Sequence, residues 1–222
     1  MRISRLNKFS YSFPNPKFAS DDGLLAFGGD LSIERLLSAY RHGIFPWYNQ
    51  DDPILWWSPN PRMVLFLDEF KTSKSMFKKI KKDIFEIKFD TKFKEVVTNC
   101  SAVKRNYCDH TWLNNDMIDA YCALFDIGIA HSFEAYQEDR LVGGGYGLVI
   151  GDIFCGESMF TLEADASKIA LSGLVDRLKN NGFNLIDCQV PSDHLKSLGG
   201  RNISREEFLD ILRAGLQNPK EF

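Results

Sequence analysis

The chain has 222 residues, 44% of them hydrophobic and 13% aromatic, enough to bury a sizeable core as one large domain or two small ones. Its start, MRISRLNKFSYSF, has no apolar stretch that could serve as a secretory signal, and its most apolar run, Leu141 to Ile150, carries four glycines and is too short to span a bilayer. The net charge is only −3, and the five cysteines (Cys100, Cys108, Cys122, Cys155 and Cys188) are odd in number with no CxxC, so neither a disulfide framework nor a zinc knuckle is signalled and the chain reads as cytosolic with reduced thiols.

Residues 1–61 are rich in Pro and Gly and predict one helix. Ser32 suits its N-cap, Ile33, Leu36, Leu37 and Tyr40 give it an apolar face, and Gly43 suits the C′ position. The prolines in Ile44–Tyr48 and Leu55–Pro59 argue against both segments as central strands, and the three tryptophans there need a wall to pack against. These residues predict a small N-terminal domain, 1–61, over a larger one, 62–222.

In the larger part, Met63–Leu67 predicts a strand, Thr72–Ile80 a basic amphipathic helix and Ile84–Phe89 a half-exposed strand. Asn115 suits the cap of a helix with Met117, Ile118, Tyr121 and Phe125 on its apolar face, ended by Gly128. Strands follow over Ala130–Tyr136, Leu141–Ile150 and Ile153–Phe160, with turns at Glu138-Asp139 and Gly151-Asp152. A helix from Ala166 to Asn180, a strand over Asn184–Cys188, a short helix capped by Ser192 and a last helix opened by Ser204-x-x-Glu207 complete the chain. Consecutive antiparallel strands, then a helix, then another strand define an α+β class.

Charge is unevenly placed. Lys71 to Arg105 holds eleven basic and four acidic residues. Such a lobe, with Lys71, Lys74, Lys78, Lys79, Lys81 and Lys82 at its front, is either a polyanion contact or a solvated lysine face. Arg140-x-x-Gly143-x-Gly145 fits a pyrophosphate loop for coenzyme A only if it opens a helix, whereas Tyr146–Ile150 continues as strand. The glycines instead suit close approach of a neighbour. Glu157 interrupts an apolar strand. If Phe154 and Ser158 share a face, Glu157 lies opposite with Cys155 and Met159, either solvated or buried against a cation or donors. Asp187 and Gln189 project to one side of a strand end, either as site residues or as a cap for the next helix. The histidines and cysteines have no metal spacing, and there is no P-loop, GxGxxG or GxSxG. Neither a metal nor a cofactor is expected, and any acyl group handled must arrive already activated.

Five strings, Gly23-Leu-Leu-Ala-Phe-Gly-Gly-Asp-Leu-Ser32, Arg41-His-Gly-Ile-Phe-Pro-Trp47, Pro53-Ile-Leu-Trp-Trp-Ser-Pro59, Phe154-Cys-Gly-Glu-Ser-Met-Phe160 and Asp187-Cys-Gln189, resemble the bacterial leucyl/phenylalanyl-tRNA–protein transferases in order and spacing. The resemblance implies a small N-terminal domain and a C-terminal domain of the acetyltransferase superfamily (GNAT-like) fold. It implies transfer of Leu, Phe or sometimes Met from aminoacyl-tRNA to proteins with an N-terminal Arg or Lys, marking them for degradation, without coenzyme A or a membrane. Trp47 and Trp112 would then hold the 3′ adenosine and aminoacyl group, and Phe154, Leu171, Leu174, Leu178 and Ile186 would form the apolar pocket. Asp187 would polarise Gln189, which orients the acceptor amine. Glu157 and Asp187 suit a cationic acceptor, and the basic lobe suits tRNA phosphates. The family commonly carries a bulky apolar residue where this chain has Gly145, which implies a recessed pocket wall. The other readings are a coenzyme A-dependent N-acyltransferase on the same fold and a non-enzymatic RNA-binding module.

Overall fold

A computed structural model describes residues 3–102 and 113–222. Two sheets form around a shared core. The first holds β1 (Ser4–Leu6), β2 (Leu24–Gly28), β3 (Phe45–Pro46) and β4 (Leu55–Trp57) in the order β1-β2-β4-β3. Helix α1 (Ile33–Arg41) lies between β2 and β3 in the chain. Its end follows from Gly43, which takes φ +70° while the Ile44 N–H reaches back to the Ala39 carbonyl at 3.0 Å, closing the helix with a left-handed residue. Its beginning differs from expectation: the Ser32 hydroxyl donates to Asp30 at 2.5 Å and makes no cap bond to the helix. Contrary to the expectation drawn from its proline, the Leu55–Pro59 segment does contribute a central strand. Strand β4 sits between β2 and β3 because Pro59 lies beyond its last residue and removes no ladder bond. Trp56 is fully buried and donates its indole N–H to the Gly28 carbonyl at 2.9 Å.

The second sheet has seven strands. These are β5 (Arg62–Phe66), β6 (Glu86–Phe89), β7 (Ala130–Gln137), β8 (Arg140–Ile150), β9 (Ile153–Thr161), β10 (Leu185–Gln189) and β11 (Arg201–Ile203), ordered β11-β5-β10-β9-β8-β7-β6. Strands β6 to β9 are antiparallel neighbours, turned by Glu138 (φ +56°) and Gly151 (φ +66°) at the two expected positions. Helix α5 (Ala166–Asn180) then brings the chain across to β10, which pairs parallel to β9 and antiparallel to β5.

The remaining helices are α2 (Lys74–Lys81), α3 (Phe93–Ala102), α4 (Asn115–Asp126), α6 (Asp193–Ser197) and α7 (Arg205–Gly215). Asn114, one residue earlier than expected, caps α4 through the Met117 N–H at 2.9 Å, and Ser204 caps α7 through the Glu207 N–H at 3.1 Å. One apolar cluster runs from Trp56 and Tyr40 through Tyr121 and Tyr146 to Phe208, so the small sheet and one face of the large sheet share a core. A second cluster on the other face packs Phe133, Phe154 and Ile186 against Leu171, Leu174 and Leu178 of α5. Gly143 permits that packing, since a Cβ there would stand 2.6 Å from the Ala166 Cβ. No helix among the described residues is long and apolar enough to cross a membrane.

Candidate functional site

The site forms where β9 and β10 part. Their parallel register runs from Leu185 opposite Ile153 to Asp187 opposite Cys155 and stops there, while β9 continues to Thr161. Two irregularities open the gap. Strand β8 pairs Tyr146 with Ser158 and Gly147 with Gly156, so Glu157 is the extra residue of a bulge. Strand β10 shifts register against β5 between Asp187 and Gln189, and Gln189 takes φ +65°. The bulge breaks the simple alternation expected for this strand. Met159 packs into the cluster with Phe133 and α5, whereas Cys155 lies with the tyrosines that hold Glu157. Ser158, paired with Tyr146, accordingly does not share a face with Phe154.

Into this gap opens a cavity of about 360 Å³, within the size range of small-ligand sites. Its apolar walls are Phe133, Phe154, Met159, Leu171, Leu174 and Ile186, and Phe45, Pro46 and Trp47 come to it from the segment after α1. Trp47 is 43% exposed and lies 5.8 Å from the Trp57 ring. Leu178 belongs to the same apolar cluster but is fully covered and does not reach the cavity. Trp112 lies outside the described residues.

Glu157 and Gln189 form the polar edge. The Gln189 amide donates to Glu157 Oε1 at 2.8 Å, leaving its carbonyl as the acceptor end of the group. The Tyr40 hydroxyl donates to Oε1 at 2.7 Å and the Tyr121 hydroxyl to Oε2 at 2.8 Å. Burial pushes the Glu157 carboxyl up to about 7, against the lowering pull of the two hydroxyls and the Gln189 amide; the nearby Asp187 carboxylate adds to the rise. Burial likewise raises the Cys155 and Cys188 thiols, so both stay protonated at neutral pH. It lowers His194, which also lines the cavity, with the Lys168 charge adding to the fall.

Asp187 stands behind the cavity, 1% exposed. Arg62 Nε meets its Oδ1 at 2.8 Å and Arg62 Nη2 its Oδ2 at 2.6 Å, and the backbone N–H of Gln189 donates to Oδ1 at 3.0 Å. Asp187 therefore touches the backbone of Gln189 while Glu157 touches its amide, and the Asp187 carboxylate is committed to a cation of the chain itself. Arg62, Tyr40 and Tyr121 are not legible in the sequence as site residues. The first opens a strand just after Pro61, and the tyrosines sit on apolar helix faces like ordinary core residues. Arg62 also donates to the Gly43 carbonyl at 3.1 Å and lies over the rings of Phe45 and Phe208.

Gly145 does not border an empty recess, contrary to expectation. A Cβ built on it would come within 2.5 Å of Phe133 Cζ and 2.7 Å of Met159 Cγ, so side chains from the neighbouring strands fill the place of a bulky residue. The Arg140-x-x-Gly143-x-Gly145 run lies wholly within β8 and opens no helix.

The basic segment forms α2, capped by Ser73, and packs on α5, whose inner side lines the cavity. Lys71, Lys74, Lys78, Lys81 and Lys82 are exposed. Lys79 differs: it bonds Asp165 at 2.7 Å and the Ala164 carbonyl at 2.8 Å.

An α+β chain with an apolar cavity edged by one carboxylate–amide–phenol network has the form of an enzyme site for a small apolar group. The sequence comparisons agree with such a class. The family model described as leucyl/phenylalanyl-tRNA protein transferase matches residues 64–213, and the one for that family's N-terminal domain matches residues 29–60. Leucyl/phenylalanyl-tRNA–protein transferase of Sulfurimonas denitrificans is 52% identical over 95% of this chain and 91% of its own. The proteins of that name from Syntrophobacter fumaroxidans and Stutzerimonas stutzeri are 54% identical over 90% and 86%, and 49% identical over 98% and 96%, of this chain and theirs respectively. The chain belongs to the leucyl/phenylalanyl-tRNA protein transferase family.

Proposed function

We propose that this chain takes Leu, Phe or Met from aminoacyl-tRNA and joins it by a peptide bond to a protein with an N-terminal Arg or Lys, creating a degradation signal in the cytosol. The observation that carries the reading is the cavity itself: apolar walls deep enough for one side chain meet a Glu157–Gln189 edge able to hold an amine. An aminoacyl ester is already activated, which fits a sequence with no nucleotide-triphosphate loop. Trp47 and Trp112 line the site for the 3′ adenosine and aminoacyl group, and Phe154, Leu171, Leu174 and Ile186 hold the aminoacyl side chain, with Leu178 supporting them from behind. The Gln189 carbonyl orients the attacking amine, and Asp187 fixes the Gln189 backbone. The exposed lysines of α2 and its flanks carry tRNA phosphates without reading sequence.

The same reading takes residues 1–61 as a small N-terminal domain and 62–222 as a GNAT-like catalytic domain that needs neither coenzyme A nor another cofactor. The parallel β9–β10 pair that parts beside a bulge supports that fold assignment, and the placement of the glycine run inside β8 supports the absence of a coenzyme A loop. Incubation of the protein with labelled Phe-tRNA and an Arg-initiated peptide tests the whole proposal. Label should appear on that peptide and not on one beginning with citrulline, and equal labelling of both would remove the charge-reading part.

A further inference from the structure

The Glu157 network has a proton count that its geometry makes plain. Tyr40 and Tyr121 hydroxyl oxygens lie 2.8 Å apart, Tyr40 is 2.7 Å from Glu157 Oε1 and Tyr121 is 2.8 Å from Oε2. These three contacts close a ring. With Glu157 ionised, only two hydroxyl protons serve three contacts, so one contact always brings two lone pairs together. One added proton completes the ring in the sense Glu157 Oε2–H to Tyr121, Tyr121 to Tyr40 and Tyr40 to Oε1. Oε1 then still accepts from the Gln189 amide at 2.8 Å.

We infer that Glu157 is the proton acceptor of the transfer reaction, with Tyr40 and Tyr121 as the positioning residues that make room for the proton. The inference rests on the function proposed above. As the acceptor nitrogen bonds to the ester carbon, its N–H proton passes to Glu157. The carbon–oxygen bond to the ribose then breaks, the ribose oxygen takes a proton back from Glu157, and the enzyme returns to its starting state. Glu157 lines the cavity beside Gln189, so the group that orients the amine adjoins the group that relieves it of a proton. An amide cannot hold that proton itself, and the Asp187 carboxylate is closed off by Arg62.

Several other groups face Glu157. From α1 and α4 they are the two tyrosines, and from β10 it is Asp187, with Arg62 of β5 behind it, while Cys188 of β10 lines the same cavity. Cys155 neighbours it on its own strand, and His194 and Tyr146 line the same cavity. Both thiols stay protonated, and the Glu157 carboxyl at about 7 is poised near neutrality, where a general base works best.

The test compares pH–rate profiles of the full chain with one donor tRNA and one Arg-initiated peptide, so that the peptide's own amine contributes equally throughout. In wild type the rate should fall below about pH 7 as Glu157 protonates. Glu157→Gln should lose about 10²–10⁴-fold in turnover with donor binding retained, and its acid limb should shrink to the part set by the peptide amine alone. Tyr40→Phe opens the ring and leaves Glu157 with Tyr121 and Gln189 as its partners, so the limb should move from its wild-type position. A pH-difference infrared carboxyl band, present in wild type and absent in Glu157→Gln, reads the same titration without turnover. Near-normal turnover in Glu157→Gln, or an unmoved limb in Tyr40→Phe, overturns the assignment while leaving the transferase reading intact. Absence of transfer by wild type overturns the transferase reading instead.

Discussion

Arg62 grips both oxygens of Asp187, at 2.8 and 2.6 Å, in a pair that is at most 2% exposed. The pair joins the first strand of the large sheet to the strand that carries Gln189, and Arg62 extends the link to the Gly43 carbonyl in the segment that delivers Trp47. Removing one member of such a pair leaves the other charge buried and unpaired, which typically costs about 3–5 kcal/mol. Asp187→Ala should therefore lower stability by about that amount in urea unfolding, as well as reducing turnover. Replacing both members, as Arg62→Met with Asp187→Leu, should recover much of the stability but not the activity. Recovery of both would remove Asp187 from the catalytic apparatus.

The second expectation separates folding from chemistry at Gln189. Its φ of +65° strains any residue with a Cβ, by about 1–2 kcal/mol. Gln189→Gly should be more stable than Gln189→Ala by roughly that margin, yet both lose the amide and should lose about 10²–10³ in turnover. Turnover that follows stability across the two variants would make the amide incidental.

The elements most legible in the sequence are those with local signals. The helix ended by Gly43, the β7–β9 meander with its two turns, and the Ser204 cap all depend on a few adjacent residues. Helix α3 gives no such signal, because Val96, Val97, Thr98, Asn99, Cys100 and Ser101 are weak helix formers whose preferences tertiary packing overrides. Strand β11 is three residues long, and its pairing with β5 joins segments far apart in sequence. Gln189 is legible from its place at a strand end and the apolar pocket residues only through the family resemblance, but the bulge at Glu157 is not legible, since one inserted residue leaves no mark on a period-two pattern. The partners of Glu157 and Asp187 come from α1, α4 and β5, and a strand read in isolation cannot name them.

The lysines divide into two groups by geometry. Lys74, Lys78, Lys81 and Lys82 are exposed, so changing them together to Gln should weaken tRNA binding and flatten its salt dependence, by about 0.7–0.9 for each phosphate they neutralise. Lys79→Gln alone should alter that slope little, because Lys79 is held by Asp165 at the start of α5. Filter binding across a salt series distinguishes the two, and an unchanged slope in the fourfold variant would leave α2 an ordinary solvated face.

Donor preference should be governed by Phe133 rather than by Gly145. Phe133 lines the cavity and already occupies the space a Gly145 side chain would need, with Met159 beside it. Gly145→Met therefore overpacks the wall and should destabilise the protein by about 1–3 kcal/mol instead of simply trimming the pocket. Combining it with Phe133→Ala should restore only part of that stability, since the ring is removed but the Ser158 backbone carbonyl still stands 2.6 Å from the new Cβ. Phe133→Ala by itself enlarges the pocket, which leaves a branched aliphatic tip more loosely held and accommodates a ring. Changes of this size in apolar pockets are worth about 1–3 kcal/mol, a shift of roughly tenfold or more in the use of Phe-tRNA over Leu-tRNA. Competition between the two donors in wild type, Phe133→Ala and the double variant measures it. Equal ratios in all three would mean that this wall does not touch the transferred side chain.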